Sequence, residues 1–286
     1  MTRLSLYSAV AQKSASLVIR DYSTSFGLAS RILERESRQH IENIYALVRL
    51  ADEVVDGVAV EAGLDNTGVR RALDDLERDT YQAMESGYST NLIVHAFALS
   101  ARAVGITRDI VEPFFTSMRM DLSDRVYTAE SFATYVYGSA EVVGLMCLAV
   151  FVRNNKPIPT QAHVLVAGAR SLGAAFQKVN FLRDLAADVD GLGRSYFPGV
   201  RIDTFSEIDK KRICDDIDDD LARAAETLPL LPADARRAVA LAHGLFHALN
   251  ERIRRTPADV LKTTRISVST ATKLTILVRV LTGGAR

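Results

Sequence analysis

Apolar residues recur three and four positions apart along most of the 286-residue chain, and no long stretch alternates strictly between apolar and polar side chains. This spacing is typical of amphipathic helices rather than of strands. It predicts helices at about 4–20, 37–57, 66–86, 89–104, 107–123, 129–153, 160–189, 206–228, 232–255 and 258–282. Neither of the two turn-rich segments, 154–160 and 191–199, resembles a linker between domains, and no repeat is found. The sequence therefore predicts one all-α domain over residues 1–286.

Composition agrees with a helical protein and excludes several functional classes. Hydrophobic residues make up 48% of the chain, enough for a large core, whereas Gly (16) and Pro (7) are scarce. Lys plus Arg equals Asp plus Glu, at 35 each. We expect no nucleic-acid partner, because such proteins bind largely through clustered basic charge. The two cysteines, Cys147 and Cys214, cannot build a disulfide framework or a zinc site alone.

Neither a signal peptide nor a membrane span is expected. The early Arg3 is not followed by an apolar stretch of signal-peptide quality. The longest apolar run extends from Val142 to Val152. It is much shorter than the roughly twenty residues that cross a bilayer, so we interpret it as a buried core helix. A reducing cytoplasm is the simplest location.

A polar stripe runs along the second predicted helix. Tyr45, Arg49, Asp52 and Asp56 fall within one narrow stripe at about 100° per residue, and apolar side chains cover most of the remaining circumference. Two carboxylates would then line an interior surface, where like charges are costly unless a cation compensates. Arg49 could neutralise one of them, and the other needs a further partner.

The predicted helix at 160–189 repeats this arrangement. Gln177, Asp184 and Asp188 share a stripe, with Asn180 at its edge. Acidic residues four apart usually mark a solvated helix face, but two apolar helices with the same stripe are hard to explain that way. Facing each other, they would place four carboxylates and an amide around one cavity, a suitable environment for Mg²⁺. Because Mg²⁺ completes its shell with water and substrate phosphates, the predicted ligand is a metal-bound diphosphate.

With these two motifs the sequence resembles the squalene and phytoene synthase family, the head-to-head isoprenoid synthases. The resemblance extends from about Tyr22 to Lys273. It is carried by Ser23-Thr24-Ser25-Phe26, Tyr45 through Gly57, Tyr135 through Gly144, and Gln177 through Asp188 continuing to Arg194-Ser195-Tyr196-Phe197-Pro198. It implies an isoprenoid-synthase helical bundle around a central cavity. There, two allylic diphosphates would join to a cyclopropylcarbinyl diphosphate, which ionises again and rearranges to a linear hydrocarbon.

The resemblance also implies roles for individual residues. The metal ligands would be Asp52, Asp56, Asn180, Asp184 and Asp188, the four aspartates being required for catalysis. The contacts to phosphate would come from Arg49, Arg183, Arg265 and Lys273, assisted by Ser23, Ser25 and Gln177. The aromatic groups near the carbocation would be Tyr45, Tyr135 and Tyr196, with Phe26 beside the substrate, since a ring face attracts a cation. The segment Gly191 to Gly199 would be a flap over the site.

Simpler interpretations stay open for some of these residues. Each tyrosine could serve ordinary core packing with a satisfied hydroxyl. Arg265 and Lys273 could be a solvated surface pair. We interpret the acidic run at 215–220 as the first turns of a solvated helix rather than as a third metal site. His243 and His247 lack the third ligand of a zinc site.

Three residues depart from the family pattern. Ala187 takes a place that is often acidic, so the second motif has one carboxylate fewer. Glu141 stands where a small residue is common, and its charge needs a partner. Phe246 takes a place where Tyr is frequent, which keeps an aromatic wall but loses a hydroxyl contact. None of these changes removes a primary aspartate, so we expect an active enzyme.

The first motif, Asp52-Glu53-Val54-Val55-Asp56-Gly57, looks most like that of bacterial phytoene synthases, and the C-terminal anchor typical of eukaryotic squalene synthases is not seen. The leading hypothesis is condensation of two geranylgeranyl diphosphates to phytoene, the first step of carotenoid biosynthesis. It would use Mg²⁺, with Mn²⁺ as a substitute, and no nicotinamide cofactor. We expect a cytoplasmic monomer with peripheral contact at the inner face of the membrane, because substrate and product are both poorly soluble in water.

Three alternatives remain. A farnesyl-diphosphate-using relative would make squalene, dehydrosqualene or hydroxysqualene. A non-catalytic family member would be expected to have lost motif aspartates, which this chain keeps. A terpene cyclase or a head-to-tail prenyltransferase would usually carry a DDxx(D/E) first motif, and this chain has another form.

Overall fold

The computed structural model describes residues 2–123, 126–185 and 196–282, and within these ranges it contains helices and no strand, which confirms the all-α class. The α-helices are α1 (Arg3–Tyr22), α2 (Thr24–Ser30), α3 (Arg35–Val55), α4 (Val58–Glu61), α5 (Asn66–Ser86), α6 (Leu92–Val104), α7 (Arg108–Ser123), α8 (Ala129–Val136), α9 (Val142–Val152), α10 (Pro159–Arg183), α11 (Glu207–Thr227), α12 (Ala233–Arg255), α13 (Ala258–Leu261) and α14 (Thr270–Leu281). A π-helical turn (Tyr137–Glu141) joins α8 to α9, and a 3-10 turn (Leu228–Leu230) follows α11.

Side-chain caps explain where several of the predicted helices begin. The side chains of Thr2, Asp65 and Asn91 accept hydrogen bonds from backbone N–H groups in the first turns of α1, α5 and α6. Ser206 and Asp209 form a capping box at the start of α11. Such caps satisfy N–H groups that have no partner within the helix, so they fix the first residue of each element.

Three predicted helices are wrong in detail. The helix predicted at 129–153 is interrupted by the π-turn, and the one predicted at 160–189 stops at Arg183, with Asp184 as its C-cap. The helix predicted at 258–282 is two helices separated by residues 262–269, where β-branched residues and serines are weak helix formers. Ser269 caps the second of them. The short helices α2 and α4 were not predicted.

The two largest hydrophobic clusters contain most of the buried apolar side chains. One packs α3, α5, α6, α7 and α9 together around buried side chains such as Leu47, Phe97 and Phe114. The other packs α8, α10, α11, α12 and α13 around side chains such as Leu182 and Ile217. Residues from both clusters line a central cavity, so α3 and α10, which carry the two acidic motifs, belong to different halves of its wall.

Helix α9 belongs to the core, as the sequence predicts. The helical segment Ala129–Val152 is long and apolar enough to cross a membrane, with a mean hydropathy of 1.8, but 50% of that apolar window is buried inside the protein. Val142, Met146 and Val150 are at most 1% exposed. They pack in the first cluster beside α3 and α7, so burial in the protein accounts for their apolar character.

Two glycines allow close approach between helices at the cavity wall. A Cβ atom on Gly138 would lie 2.1 Å from the carbonyl oxygen of Pro113, and one on Gly173 would lie 2.5 Å from that of Ala140. The π-turn is therefore held between α7 and α10. This contact keeps Tyr135, one turn before Gly138, beside the end of α7.

Candidate active site

The central cavity has a volume of about 820 Å³. Every predicted site residue in the described ranges lines it: Ser23, Ser25, Phe26, Tyr45, Arg49, Asp52, Asp56, Tyr135, Gln177, Asn180, Arg183, Asp184, Tyr196, Arg265 and Lys273. The structure thus brings together side chains that are separated by up to 250 positions in the sequence. Asp188, Ala187 and most of the predicted flap lie outside the described residues.

The first acidic motif lies at the C-terminal end of α3. Asp52 lies in the last turn, and Asp56 is the C-cap. Partial burial, and after it the charge of Asp56, raise the pKa of Asp52 well above its usual value, while Arg49 opposes this effect. Arg49 forms an ion pair with Glu53, one turn further along α3, and its nearby charge also acts on Asp52, so it compensates that aspartate only in part.

Asp184 ends α10 and is the centre of a cationic cluster. Nε of Arg183 donates to its Oδ1 at 3.0 Å, and Nε of Arg265 donates to the same oxygen at 2.7 Å. Arg265 lies in the non-helical segment between α13 and α14. This segment, which interrupts the predicted C-terminal helix, places Arg265 at the cavity. Lys273, at the start of α14, donates from Nζ to Oγ1 of Thr24 at 3.0 Å. Both basic residues line the mouth of the cavity and are not merely a solvated surface pair.

Aromatic rings form one wall beside the first motif. Phe176 and Phe246 stack with their ring centroids 3.8 Å apart, and Phe26 lies 5.5 and 5.4 Å from them. Tyr45 continues this wall at 6.4 Å from Phe26. Phe246 therefore keeps an aromatic surface at its position, as predicted.

A second aromatic group lies beside the second motif and contains a residue that the sequence analysis missed. Phe181 and Tyr196 stack at 3.9 Å, and Tyr135 lies 5.3 Å from Tyr196. The hydroxyls of both tyrosines donate to Asp121, at 2.8 Å from Tyr135 and 3.2 Å from Tyr196. Asp121 is only 4% exposed and lines the cavity. The sequence pattern could have indicated Asp121, because it follows the buried Phe114 and Met118 at helical spacing on the same side of α7.

Two charged features outside the cavity find ordinary partners. Glu141 accepts a hydrogen bond from Nε of Arg170 at 2.6 Å, which supplies the partner that its position requires. The acidic run at 215–220 lies in the middle of α11 rather than in its first turns, a correction to the prediction. Four of its five aspartates, Asp215, Asp216, Asp218 and Asp220, pair with Lys178, Lys211, Arg223 and Arg254. These pairs account for the run without a metal ion.

The cavity wall changes from charged to apolar along its length. On α10 the lining runs from Asp184 through Gln177 to Leu165 as the residue number falls. The apolar end, which we call the cavity floor, is lined by Leu33, Leu148, Phe151, Leu165 and Leu231. Burial raises the pKa of the nearby Cys147 thiol to about 12, as expected in apolar surroundings. The shape suits a ligand with an anionic head and a long hydrocarbon tail.

Comparison with known proteins agrees with this geometry. A model of the squalene/phytoene synthase family matches residues 19–206. The chain is 26% identical over 281 residues to the 15-cis-phytoene synthase of Enterobacter agglomerans, covering 90% of each protein. It is 28% identical over 273 residues to the 15-cis-phytoene synthase of a Paracoccus species, covering 89% of this chain and 86% of that one.

The fold is also similar to that of a solved structure. It is similar to the crystal structure of a dehydrosqualene synthase, with a TM-score of 0.78 and 22% identity over 96% of this chain and 97% of that one. The match to the family model covers more than half of the sequence and includes both the motif on α3 and Asp184. The chain belongs to the squalene/phytoene synthase family of head-to-head prenyl synthases.

Proposed function

We propose that the protein is a phytoene synthase, which joins two geranylgeranyl diphosphates head to head through a cyclopropyl diphosphate and releases two diphosphates. The observation that carries this proposal is a pair of buried polar atoms in the cavity wall. Nε of Arg49 and Oδ1 of Asn180 find no hydrogen-bond partner among the residues that the structure describes. Buried polar groups are rarely left unpaired, so one donor and one acceptor indicate a bound anion and a bound cation.

The oxygen-rich lining of the cavity supports Mg²⁺ as the proposed cofactor, although the described Asp, Glu, His and Cys side chains form no cluster of three. Asp52, Asp56, Asn180 and Asp184 offer carboxylate and amide oxygens, the ligands that hard divalent cations prefer. Asp188 completes the proposed set from outside the described ranges. Burial, and after it the charge of Asp56, raise the pKa of Asp52, and a bound cation would favour the charged form of this carboxylate. Bound Mg²⁺ would offset the negative charge that builds up on the departing diphosphate.

The remaining residues have complementary tasks. Arg49, Arg183, Arg265 and Lys273 would hold the diphosphate oxygens, with Ser23, Ser25 and Gln177 as hydrogen-bonding groups. The faces of Tyr45, Phe26 and the rings beside them would stabilise the carbocation and exclude water from it. No nicotinamide cofactor is part of the proposal, because formation of phytoene involves no reduction.

The length of the substrate is the finer part of this proposal. Support for C20 chains comes from the similarity to two bacterial phytoene synthases over most of each chain. The nearest alternative is a farnesyl-using enzyme that makes squalene, dehydrosqualene or hydroxysqualene. The test incubates the protein with Mg²⁺ and geranylgeranyl or farnesyl diphosphate in separate reactions and identifies each hydrocarbon. Phytoene from the C20 diphosphate is expected, and a product from the C15 diphosphate alone would overturn the assignment.

We also propose that the protein works in the cytoplasm against an anionic membrane surface through α14. Leu274, Val278 and Leu281 are 53–57% exposed and share one face of this helix, next to Lys273 at the cavity mouth. Lys273 and the exposed Arg279 add positive charge that favours anionic lipid.

Flotation with vesicles of phosphatidylglycerol and phosphatidylcholine tests this contact. The double variant Leu274→Ser/Val278→Ser should lose vesicle binding. Ile208→Ser is the matched control, because Ile208 is 80% exposed on another helix and should not affect binding. Equal flotation of the double variant and the wild type would overturn the contact.

A further inference from the structure

Asp121 is a buried carboxylate that the proposed roles do not yet use. It lies in the last turn of α7, is 4% exposed, and accepts the hydroxyl hydrogens of Tyr135 and Tyr196, one on each carboxylate oxygen. All three side chains line the cavity. Burying a carboxylate is costly, and the two charge-assisted hydrogen bonds offset part of that cost.

The direction of these hydrogen bonds determines what the tyrosines can offer a substrate. A phenolic hydroxyl has one hydrogen and two lone pairs, so a tyrosine that donates to Asp121 keeps its oxygen free to accept. Burial, and after it the charge of Asp121, raise the pKa of Tyr135 well above its usual value, so Tyr135 stays a neutral phenol at physiological pH. The wall therefore presents a neutral oxygen backed by a carboxylate.

The proposed reaction needs such a group. Two geranylgeranyl diphosphates lose two diphosphates and two protons on the way to phytoene. The first proton leaves the carbon that carried a diphosphate, when the cyclopropane ring closes. The second leaves when the rearranged cation becomes the final alkene. A base must therefore lie beside the cation in an otherwise apolar space.

We propose that Asp121 is the positioning residue for the first proton loss, which closes the cyclopropane ring, acting through Tyr135. The Tyr135 oxygen takes the proton from the substrate carbon while its own hydrogen passes to Asp121. The electron pair of the broken C–H bond forms the new C–C bond of the cyclopropane ring. Asp121 is then protonated, so the second proton, lost when the final alkene forms, passes to the released diphosphate. Tyr135 is neutral before and after the step, and Asp121 becomes a carboxylic acid that loses its proton to water when the product leaves. This inference rests on the proposed function.

The substitution Asp121→Asn separates this role from a structural one. An amide has the same shape and can still accept from one tyrosine, but it cannot take up the proton. Ser117→Ala is the matched structural control, because the buried Ser117 lies on the same helix and donates to the backbone oxygen of Tyr135 at 3.1 Å. It perturbs the position of Tyr135 without changing the proton acceptor.

The experiment measures steady-state and single-turnover rates with unlabelled geranylgeranyl diphosphate and with the same diphosphate deuterated at C1. For Asp121→Asn we expect kcat to fall roughly 100-fold or more, a typical contribution of general acid–base catalysis, with little change in KM. The deuterium isotope effect should rise above the wild-type value, because proton loss becomes rate-limiting. Ser117→Ala should keep the wild-type isotope effect.

The outcomes are distinguishable. The inference would be overturned if Asp121→Asn had the wild-type isotope effect and a loss of rate that matched its loss of thermal stability. Asp121 would then have only a structural role. If Asp121→Asn does not fold, Tyr135→Phe tests the same step. Its deuterium isotope effect should also rise above the wild-type value, and an isotope effect equal to that of the wild type would overturn the inference. If the wild type uses only farnesyl diphosphate, the C20 assignment is wrong. The isotope experiment is then carried out with deuterated farnesyl diphosphate, and it still tests the role of Asp121. A wild type that makes no hydrocarbon from either overturns the proposed function and the inference with it.

Discussion

Nε of Arg265 lies 2.7 Å from Oδ1 of Asp184, although 81 positions separate the two residues in the sequence. This ion pair holds the segment between α13 and α14 over the cavity mouth. The same carboxylate receives Arg183, so two cations meet at one proposed metal ligand. A binding site for diphosphate and Mg²⁺ needs such closely mixed charges, because the ligand itself carries both signs.

Removal of the Arg265 charge should weaken anion binding. We expect Arg265→Gln to lower the affinity for inorganic diphosphate in the presence of Mg²⁺ about tenfold, which corresponds to roughly 1.4 kcal/mol. Isothermal titration calorimetry measures this directly. Lys262→Gln is the control, because Lys262 lies on the same segment and pairs with the exposed Asp259. Equal losses in the two variants would mean that only overall charge matters.

The raised pKa of Asp52 predicts a stability change with a definite sign. Between the ordinary aspartate pKa and the raised one, the folded protein binds more protons than the unfolded chain, so stability falls as pH rises through this window. Asp52→Asn should remove this decline and raise Tm at pH 7, without divalent ions, by about 2–4 °C, the shift that roughly 1 kcal/mol gives in a large domain. It should also abolish turnover.

Thermal unfolding across pH checks this prediction. The exposed Asp219 on α11 supplies the control, since Asp219→Asn should leave the pH profile of Tm unchanged. A lower Tm for Asp52→Asn at pH 7 would contradict the prediction and would show that the charged carboxylate stabilises the fold.

Close approach at Gly138 predicts a destabilising substitution. In Gly138→Ala the new methyl group would lie 2.1 Å from the carbonyl oxygen of Pro113, so α7 and the π-turn must separate. Overpacking of this kind costs about 1–3 kcal/mol. Gly27→Ala is the matched control, because the nearest atom to its Cβ would be at 3.6 Å, and a helical Gly→Ala change is normally stabilising. In urea unfolding, the free energy of unfolding should fall in Gly138→Ala and rise in Gly27→Ala. The packing argument would be contradicted if Gly138→Ala lost no more stability than Gly27→Ala.

The cavity floor should control chain length. Phe151→Ala lengthens the apolar end of the cavity. When C15 and C20 diphosphates are supplied together, this variant should form a larger share of the longer hydrocarbon. Leu165→Phe shortens the apolar end and should form a larger share of the shorter one. Val152→Ala is the control, since Val152 packs beside the floor without lining the cavity. Chromatography of the hydrocarbons gives the ratio, and an unchanged ratio in both floor variants would place the length limit elsewhere.

The sequence predicted the helical class and both acidic motifs, because a 3.6-residue period places Asp52 and Asp56 on one side of a buried helix whatever packs around it. It did not predict the partner of Arg49, since the choice between Glu53 and an aspartate depends on the conformation of one long side chain. Asp121 was missed for another reason. Its partners come from α8 and from the segment after residue 195, and no local pattern indicates that two tyrosine hydroxyls converge there.

The hydrogen bond from Lys273 to Thr24 spans 249 positions and has a consequence for protein synthesis. A ribosome must release the chain as far as Lys273 before the two residues can meet, and contacts so far apart in sequence form only after long loops have closed. Helices near the N-terminus can pack earlier, during translation. A prematurely terminated chain would therefore contain the first acidic motif without the lysine that completes the mouth. Capture of diphosphate would then begin only after Lys273 has left the ribosome.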